Sequence, residues 1–506
     1  MSPILSLAVV FITSFCLMVM ELVAGRLMAP YLGVSLYTWT SVIGVILGGV
    51  SLGNYIGGRI SDSFGSRKVL GAIILLSGIS SLLVRFTVPF FGSLLQGTFI
   101  PLYIATFIFC LFVFFPTSLF LGCISPLVVK LDLRAIEKAG RTVGRIYAVS
   151  SLGSIIGTLL TGYFFISFFG TKAIVLAVSF VLFLLGILVF EVLPKTFFGK
   201  SGMFIALVFL IGGALPGDCL RESDYYCINI RRVSAEANVY QLKLDHLVHS
   251  YIDLDNEQSL QYDYEKVYAV LIDYFLASNG NKEFSTFFLG GGGYTMPRYL
   301  ENNYSASNIE VAEIDPEVTK INYNVLGLPT DTRIITANVD ARIFLKNLSE
   351  NKKYDLIFGD AFNDYAVPYH LTTKEFGELV KSHLAGDGFY VVNIIDDYKF
   401  GRFVSSYIRT LKEVFPYVYL APLQADWKAN HRNTFVVLAG DKEINRTLWA
   451  SIFPENVLGE EDADGLKYLV LDEELDTFID QKETVLLTDD YVPIDNLLAP
   501  VFKDGY

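Results

Sequence analysis

Four short stretches in the second half of the chain carry groups suited to gripping a nucleoside and moving a proton. The first is Gly290-Gly291-Gly292-Gly293, where consecutive glycines let the backbone come close to a ligand and take positive φ. The second is Glu313-Ile314-Asp315, an acidic pair of the kind that accepts both hydroxyls of a ribose. The third is Asn338-Val339-Asp340-Ala341, where a carboxylate could accept a hydrogen bond from an adenine amino group. The fourth is Gly359-Asp360-Ala361-Phe362-Asn363-Asp364, with an acid placed to serve as a general base. Each has a plainer use when taken alone: a glycine run makes a tight turn, and a lone acid caps a helix. In series they read as an adenosine-binding site of the methyltransferase type, with Asp360 at the reacting end. The absence of a full Gly-x-Gly-x-x-Gly weakens a dinucleotide reading.

Such groups need a strand-then-helix scaffold, and the apolar pattern predicts one. Strands are expected at 284–289, 308–313, 333–336, 354–358 and 389–395. Helices are expected at 263–278, 297–303, 316–324, 341–347 and 373–384. That alternation implies a doubly wound parallel sheet with ligand at the carboxyl ends of its strands. Ahead of it, residues 224–256 alternate apolar and polar in the manner of a small antiparallel sheet.

The first half of the chain is of another kind. Residues 1–216 hold 13 Lys and Arg against 5 Asp and Glu, a net of +8, while the remainder of the 506 residues carries −21. An acidic C-terminal part argues against nucleic acid, which needs surplus cations, and tolerates cationic ligands. Apolar runs near 3–25, 38–58, 69–92, 102–129, 146–168 and 171–193 are long enough to span a bilayer, and a weaker seventh covers 202–217. The first run has no basic leader and no small-residue cleavage site, so it reads as a retained helix. Gly49, Gly53 and Gly57, with Gly44 and Gly48 beside them, and Gly153 with Gly157, have the four-residue spacing that lets helices approach in lipid. Glu21 lies within the first run, where a carboxylate is costly unless paired or neutral, and Arg26 follows it. Arg59, Arg67 and Lys68, then Lys130, Arg134, Lys138, Arg141 and Arg145, then Lys195 and Lys200, gather in alternate loops. This places those loops and the N-terminus in the cytoplasm of a multi-pass cell-membrane protein. The side of the soluble part stays open. A spanning seventh segment puts it outside the cytoplasm and an interfacial one puts it inside. Cys219 and Cys227, the two cysteines of the soluble part, could form a disulfide, whereas a sulfonium nucleoside is a cytosolic metabolite. His246, His249, His370, His383 and His431 show no metal-ligand spacing with these cysteines, and no nucleophile elbow is present.

Over roughly 222–445 the sequence resembles the spermidine synthase family in its membrane-fused form. The residues that carry the resemblance are Leu289-Gly290-Gly291-Gly292-Gly293-Tyr294-Thr295-Met296-Pro297-Arg298, Val311-Ala312-Glu313-Ile314-Asp315-Pro316, Val339-Asp340-Ala341-Arg342 and Tyr354 through Phe362. Val367-Pro368-Tyr369-His370-Leu371-Thr372-Thr373 and Thr488-Asp489-Asp490-Tyr491-Val492-Pro493 match the same group. The stretch Gly58 to Lys68 resembles a cytoplasmic loop of the major facilitator transporters, which gives the membrane part a half-transporter-like cast.

The resemblance implies aminopropyl transfer from decarboxylated S-adenosylmethionine, used as co-substrate with no permanently bound cofactor, to an amine such as putrescine. Asp360 would be the catalytic base. Gly290, Gly291, Gly292, Glu313, Asp315 and Asp340 would hold the nucleoside. Tyr264, Glu265 and Asp364 would face the amine. Two departures fall on the amine side: Gly293 or Tyr294 stands where the family's loop carries an acid, and Asn363 stands three residues after Asp360 where it carries a second. Aminopropyltransferases are commonly dimers, so a homodimer is expected alongside contact with the lipid bilayer, and no metal. Two other readings use the same residues: a methyltransferase using S-adenosylmethionine, with Arg298 pairing its carboxylate, and a non-catalytic sensor or transport-associated protein. The expected fold is an α-helical membrane domain of six to seven helices (1–217), followed by a Rossmann-like methyltransferase-type α/β domain (263–506) with a small N-terminal antiparallel β-sheet (218–262).

Overall fold

The computed structural model describes residues 1–96, 100–133, 139–190, 219–234, 238–280, 283–361, 367–423, 427–429, 432–452 and 469–502. The chain divides into two compact units between Cys227 and Ile228.

The first unit is helical. Its helices are α1 (Pro3–Leu32), α2 (Leu36–Phe64), α3 (Arg67–Leu95), α4 (Leu102–Val113), α5 (Phe115–Gly122), α6 (Ile124–Asp132), α7 (Ala139–Leu160) and α8 (Ile166–Phe190). Serines start the first three: the hydroxyls of Ser2, Ser35 and Ser66 accept from the backbone N–H of Leu5, Thr38 and Val69, each 3.3 Å away. Among the described residues, five helical stretches are long and apolar enough to cross a membrane: Pro3–Leu32, Leu36–Phe64, Arg67–Leu95, Phe115–Asp132 and Ala139–Phe190. The sequence expects six, and the joining of the last two accounts for the difference, while one other run is shortened. The run 102–129 breaks after Val113, because Pro116 opens the next helix and lacks a backbone donor. The runs 146–168 and 171–193 join into one stretch of 52 residues, about 78 Å at 1.5 Å per residue, bent where Gly170 takes φ 69°. The expected seventh segment, 202–217, lies outside the described residues.

Close helix packing explains part of the glycine spacing. A Cβ on Gly53 would sit 2.2 Å from the carbonyl oxygen of Leu119, and one on Gly153 would sit 2.4 Å from that of Phe11. Gly44 and Gly48 face open space.

A small sheet follows in the order β1 (Arg221–Glu222), β2 (Cys227–Arg232), β3 (Val239–Leu244) and β4 (Leu247–Asp253), with β2, β3 and β4 antiparallel. The expectation of an N-terminal sheet needs correction. The sheet occupies 221–253, behind the helices and not at the start of the chain, and the division between the units cuts through β2, so it is no separate body.

The second unit centres on a seven-stranded sheet in the order β10-β11-β9-β8-β5-β6-β7. Its strands are β5 (Phe284–Leu289), β6 (Ser307–Ala312), β7 (Ile335–Ala337), β8 (Tyr354–Gly359), β9 (Leu384–Asp396), β10 (Tyr417–Pro422) and β11 (Asn433–Gly440). β5 to β9 are parallel, as the alternation of strands and helices implies. β10 and β11 add an antiparallel edge, so the sheet is mixed. Central strands are covered on both faces, and Phe287, Phe288, Leu289, Leu356, Ile357 and Phe358 are all buried, which is why they read as unbroken apolar runs. The flanking helices used below are α9 (Asp263–Asn279), α10 (Thr295–Asn303), α11 (Pro316–Asn324), α12 (Ala341–Lys346) and α13 (Lys374–His383). The chain order reverses between β5 and β8, which marks the ligand crevice of an open α/β sheet.

Candidate active site

Strand register aligns the four chemical stretches. Leu289 pairs with both Ala312 and Gly359, and Ala312 pairs with Ala337, so the residues that follow each strand emerge along one rim. Gly290 and Gly292 turn the chain there with φ of 97° and 50°. A Cβ on Gly290 would lie 2.6 Å from the carbonyl oxygen of Asp360, so only glycine lets the loop touch the tip of β8.

Glu313 is buried beneath this loop. Its Oε2 accepts from the N–H of Gly291 at 2.8 Å and of Gly292 at 3.3 Å, and its Oε1 accepts from the N–H of Asp315 at 2.9 Å. Burial pushes its carboxyl up, and the three backbone donors oppose the rise. Unused lone pairs remain for hydroxyl donors. Asp315 also serves the scaffold. It is fully buried and caps α11, accepting from the N–H of Glu317 at 2.9 Å.

Asp340 caps α12 through the N–H of Ile343 at 3.0 Å, and its second oxygen lies 2.7 Å from Nε2 of His370. Burial would raise its carboxyl, but the His370 contact and the backbone donors outweigh it and hold it below the usual range. Behind it, Arg342 forks onto Asp489 at 2.7 and 2.6 Å and donates to the carbonyl of His370 at 2.9 Å. The hydroxyl of Thr373 donates to the same Asp489 at 2.8 Å. Three separated motifs, at 339–342, 367–373 and 488–493, thus meet at one corner.

Asp360 occupies the end of β8, where it is only partly shielded. Its Oδ2 accepts from the Tyr264 hydroxyl at 3.3 Å and its Oδ1 from the Asn393 amide at 3.0 Å. Loss of surrounding water pushes its carboxyl up to about 6 against those two hydrogen bonds. Tyr264 lies on α9 with its ring stacked on Tyr262 and edge-on to Tyr268, both at 5.5 Å. Next to it, Glu265 is buried and accepts from the N–H of Tyr262 at 3.2 Å, and burial raises its carboxyl to about 8. The structure therefore brings Tyr264, Glu265 and Asp360 into one aromatic-walled corner. Asp364 and Asn363 lie outside the described residues.

Neither residue at the altered loop position reaches that corner with a charge. Gly293 donates its N–H to the Ser250 hydroxyl at 2.9 Å, and Tyr294 turns inward at φ 57°, fully buried, its hydroxyl 3.2 Å from that of Thr319. Arg298, on α10, is buried with its nearest carboxylate, Glu257, 3.8 Å away.

Sequence reasoning passed over Asn393 and did not assign His370 to Asp340. Asn393 was detectable as a lone amide inside the apolar run Tyr390-Val391-Val392-Asn393-Ile394, and the pairing of Gly359 with Val392 sets it opposite Asp360.

No family model matches the chain. A stretch of 108 residues, 21% of this chain, is 37% identical to a polyamine aminopropyltransferase of Vibrio vulnificus and covers 36% of it. A stretch of 119 residues, 24% of this chain, is 34% identical to a probable polyamine aminopropyl transferase of Bifidobacterium longum and covers 25% of it. The chain thus spans about a third or less of the curated relatives it matches. A crystal structure of a probable spermidine synthase from Corynebacterium glutamicum overlays 55% of this chain and 99% of its own, at 23% identity and TM-score 0.48. In sequence, the chain is most plainly similar to aminopropyl-transferring proteins.

Proposed function

We propose that the α/β unit transfers an aminopropyl group from decarboxylated S-adenosylmethionine to a small polyamine, and that the apolar helices anchor it in a membrane with the N-terminus in the cytoplasm. The observation that carries this reading is Asp360. It is a carboxylate with a proton affinity near neutrality, held by Tyr264 and Asn393, on the same rim as a ribose-type acid and a glycine loop. The names of the two curated relatives support it.

Glu313 and the glycine loop bind the ribose end of the donor, and Asp340, oriented by His370, takes the adenine amino group. At the other end an ammonium cannot attack until it loses a proton. Asp360 accepts that proton while the new C–N bond forms at the methylene next to the sulfonium and the C–S bond breaks, releasing methylthioadenosine. The sulfonium is already a good leaving group, so holding the amine in line supplies most of the remaining acceleration. Glu265 and the tyrosines form the cation-binding wall.

The methyltransferase reading requires a cation for the methionine carboxylate. Arg298 is the candidate: it is buried 3.8 Å from Glu257, beyond hydrogen-bond reach, with side-chain donors that have no hydrogen-bond partner among the described residues, so the product assay below separates the two readings.

The test is product identification by mass spectrometry on full-length protein given decarboxylated S-adenosylmethionine, S-adenosylmethionine and a panel of amines. Methylthioadenosine together with an aminopropylated amine is the expected result. S-adenosylhomocysteine would replace the reading with methyl transfer. A bound nucleoside without product would replace it with sensing.

A further inference from the structure

The two ends of the helical unit differ in chemistry. At one end the Met1 ammonium donates to the carbonyl of Leu131 at 3.4 Å, Lys130 pairs with Asp62 at 3.3 Å, and Arg145 pairs with Asp132 at 2.6 Å. Arg67 and Lys68 open α3 at this end, and Phe190, the last residue of α8, lies against Gly71 on the same helix. At the other end are the tip of α1 and the kink at Gly170. Thr171 and Phe190 are about 28 Å apart along α8, roughly a bilayer core.

The segment that leads into the soluble unit is fastened to this second end. The carboxylate of Glu222 accepts from the N–H and the hydroxyl of Thr171 at 2.7 and 2.6 Å, capping the helix that restarts after the kink. Arg26 donates to the carbonyl oxygens of Ser223 and Asp224. A disulfide between Cys219 and Cys227 closes the same segment into a loop.

From these placements we infer that Phe190 and residues 219–227 lie at opposite faces of the membrane, and that the α/β unit stands outside the cytoplasm. Two independent observations agree. The basic end, far from residues 219–227, is the cytoplasmic one by the distribution of Lys and Arg. The disulfide belongs to an oxidising compartment. The inference rests on the membrane anchoring proposed above and not on the reaction. If the reaction is also as proposed, both substrates meet the site on the outer side, so a transport step that delivers the sulfonium nucleoside must precede transfer.

The test uses full-length protein in right-side-out membrane vesicles, with one new cysteine per variant: Ser63→Cys at the basic end, or Ser349→Cys in the α/β unit, both at exposed positions. A membrane-impermeant maleimide should label Ser349→Cys at once and Ser63→Cys only after detergent. In the parent protein Cys219 and Cys227 should react only after reductant. The reverse labelling order, or Cys219 and Cys227 reactive without reductant, overturns the inference. Equal labelling of both variants without detergent, with release of the protein by alkaline carbonate, overturns the membrane anchoring itself and the inference with it. Methylthioadenosine production assayed on detergent-solubilised protein reports the reaction separately.

Discussion

The two sides of the candidate site hold their acids with different kinds of donor. On the side proposed to take the nucleoside, Glu313 has three backbone N–H groups and Asp340 a backbone N–H and His370. On the side proposed to take the amine, Asp360 has two side-chain donors and Glu265 has the Tyr262 and Gln261 backbone and the Thr295 hydroxyl, yet burial still raises their carboxyls to about 6 and about 8. The first side is organised before any ligand arrives, as suits neutral hydroxyl and amino groups. Among the described residues the second has no cation paired with Asp360 or Glu265, so an entering ammonium would favour the ionised carboxylates. On the proposed function, such a site would select its donor by shape and its acceptor by charge.

The sharpest way to break this contrast is to neutralise Asp360. Asp360→Asn should lower transfer by about a thousandfold, within the range for loss of a general base. Nucleoside affinity measured by calorimetry should stay within about tenfold, or 1.4 kcal/mol. Unchanged turnover would remove Asp360 as the base. Glu313→Ala should do the converse, weakening nucleoside binding by about a hundredfold through loss of charge-assisted hydrogen bonds, with turnover at saturation largely kept. Tight nucleoside binding in that variant would place the ribose elsewhere.

Smaller effects sharpen the amine side. Wild-type kcat/KM should fall about tenfold per pH unit below about 6, where Asp360 takes up a proton. In Asn393→Leu, which removes a donor that holds the carboxylate down, that limb should move to higher pH. An unmoved limb would mean that another group sets it. Glu265 adds the smallest effect, on stability. A carboxyl raised in the folded state contributes stability that is fully present below its unfolded value and is lost as pH rises through about 8. The melting temperature of wild type should therefore drop more between pH 5 and 8 than that of Glu265→Gln, and parallel curves would rule Glu265 out as the buried acid.

Much of this was legible in the sequence, for physical reasons that also mark its limits. β5 and β8 announce themselves because parallel strands buried on both faces must be apolar throughout, and Gly290 and Asp360 follow because each comes directly after such a run, whereas β7 at the edge, with Ile335 exposed, carries no such signal. The β10–β11 edge was not legible, since no intervening helix marks an antiparallel return. Glu313 and Asp315, two residues apart, read as one acidic pair, and the sequence did not separate the contact of the first with the glycine loop from the helix cap made by the second. His370 and Asp489 were legible as motifs but not as partners of Asp340 and Arg342, because contacts across up to 147 residues leave no local pattern. In the helical unit, composition marked the apolar runs, while the break near Pro116 and the joining across Gly170 depend on backbone geometry that hydropathy does not encode.

The fork between Arg342 and Asp489 also has a consequence in time. During synthesis at about 5–20 residues per second, the 147 positions between the two partners take on the order of 7–30 seconds to appear. Through that interval Arg342 and Thr373 await their carboxylate and the corner that orients His370 toward Asp340 is unbraced. The Asp340 corner is thus the last part of the site to mature, and a nascent chain halted before Asp489 would present a finished glycine loop beside an unfinished corner.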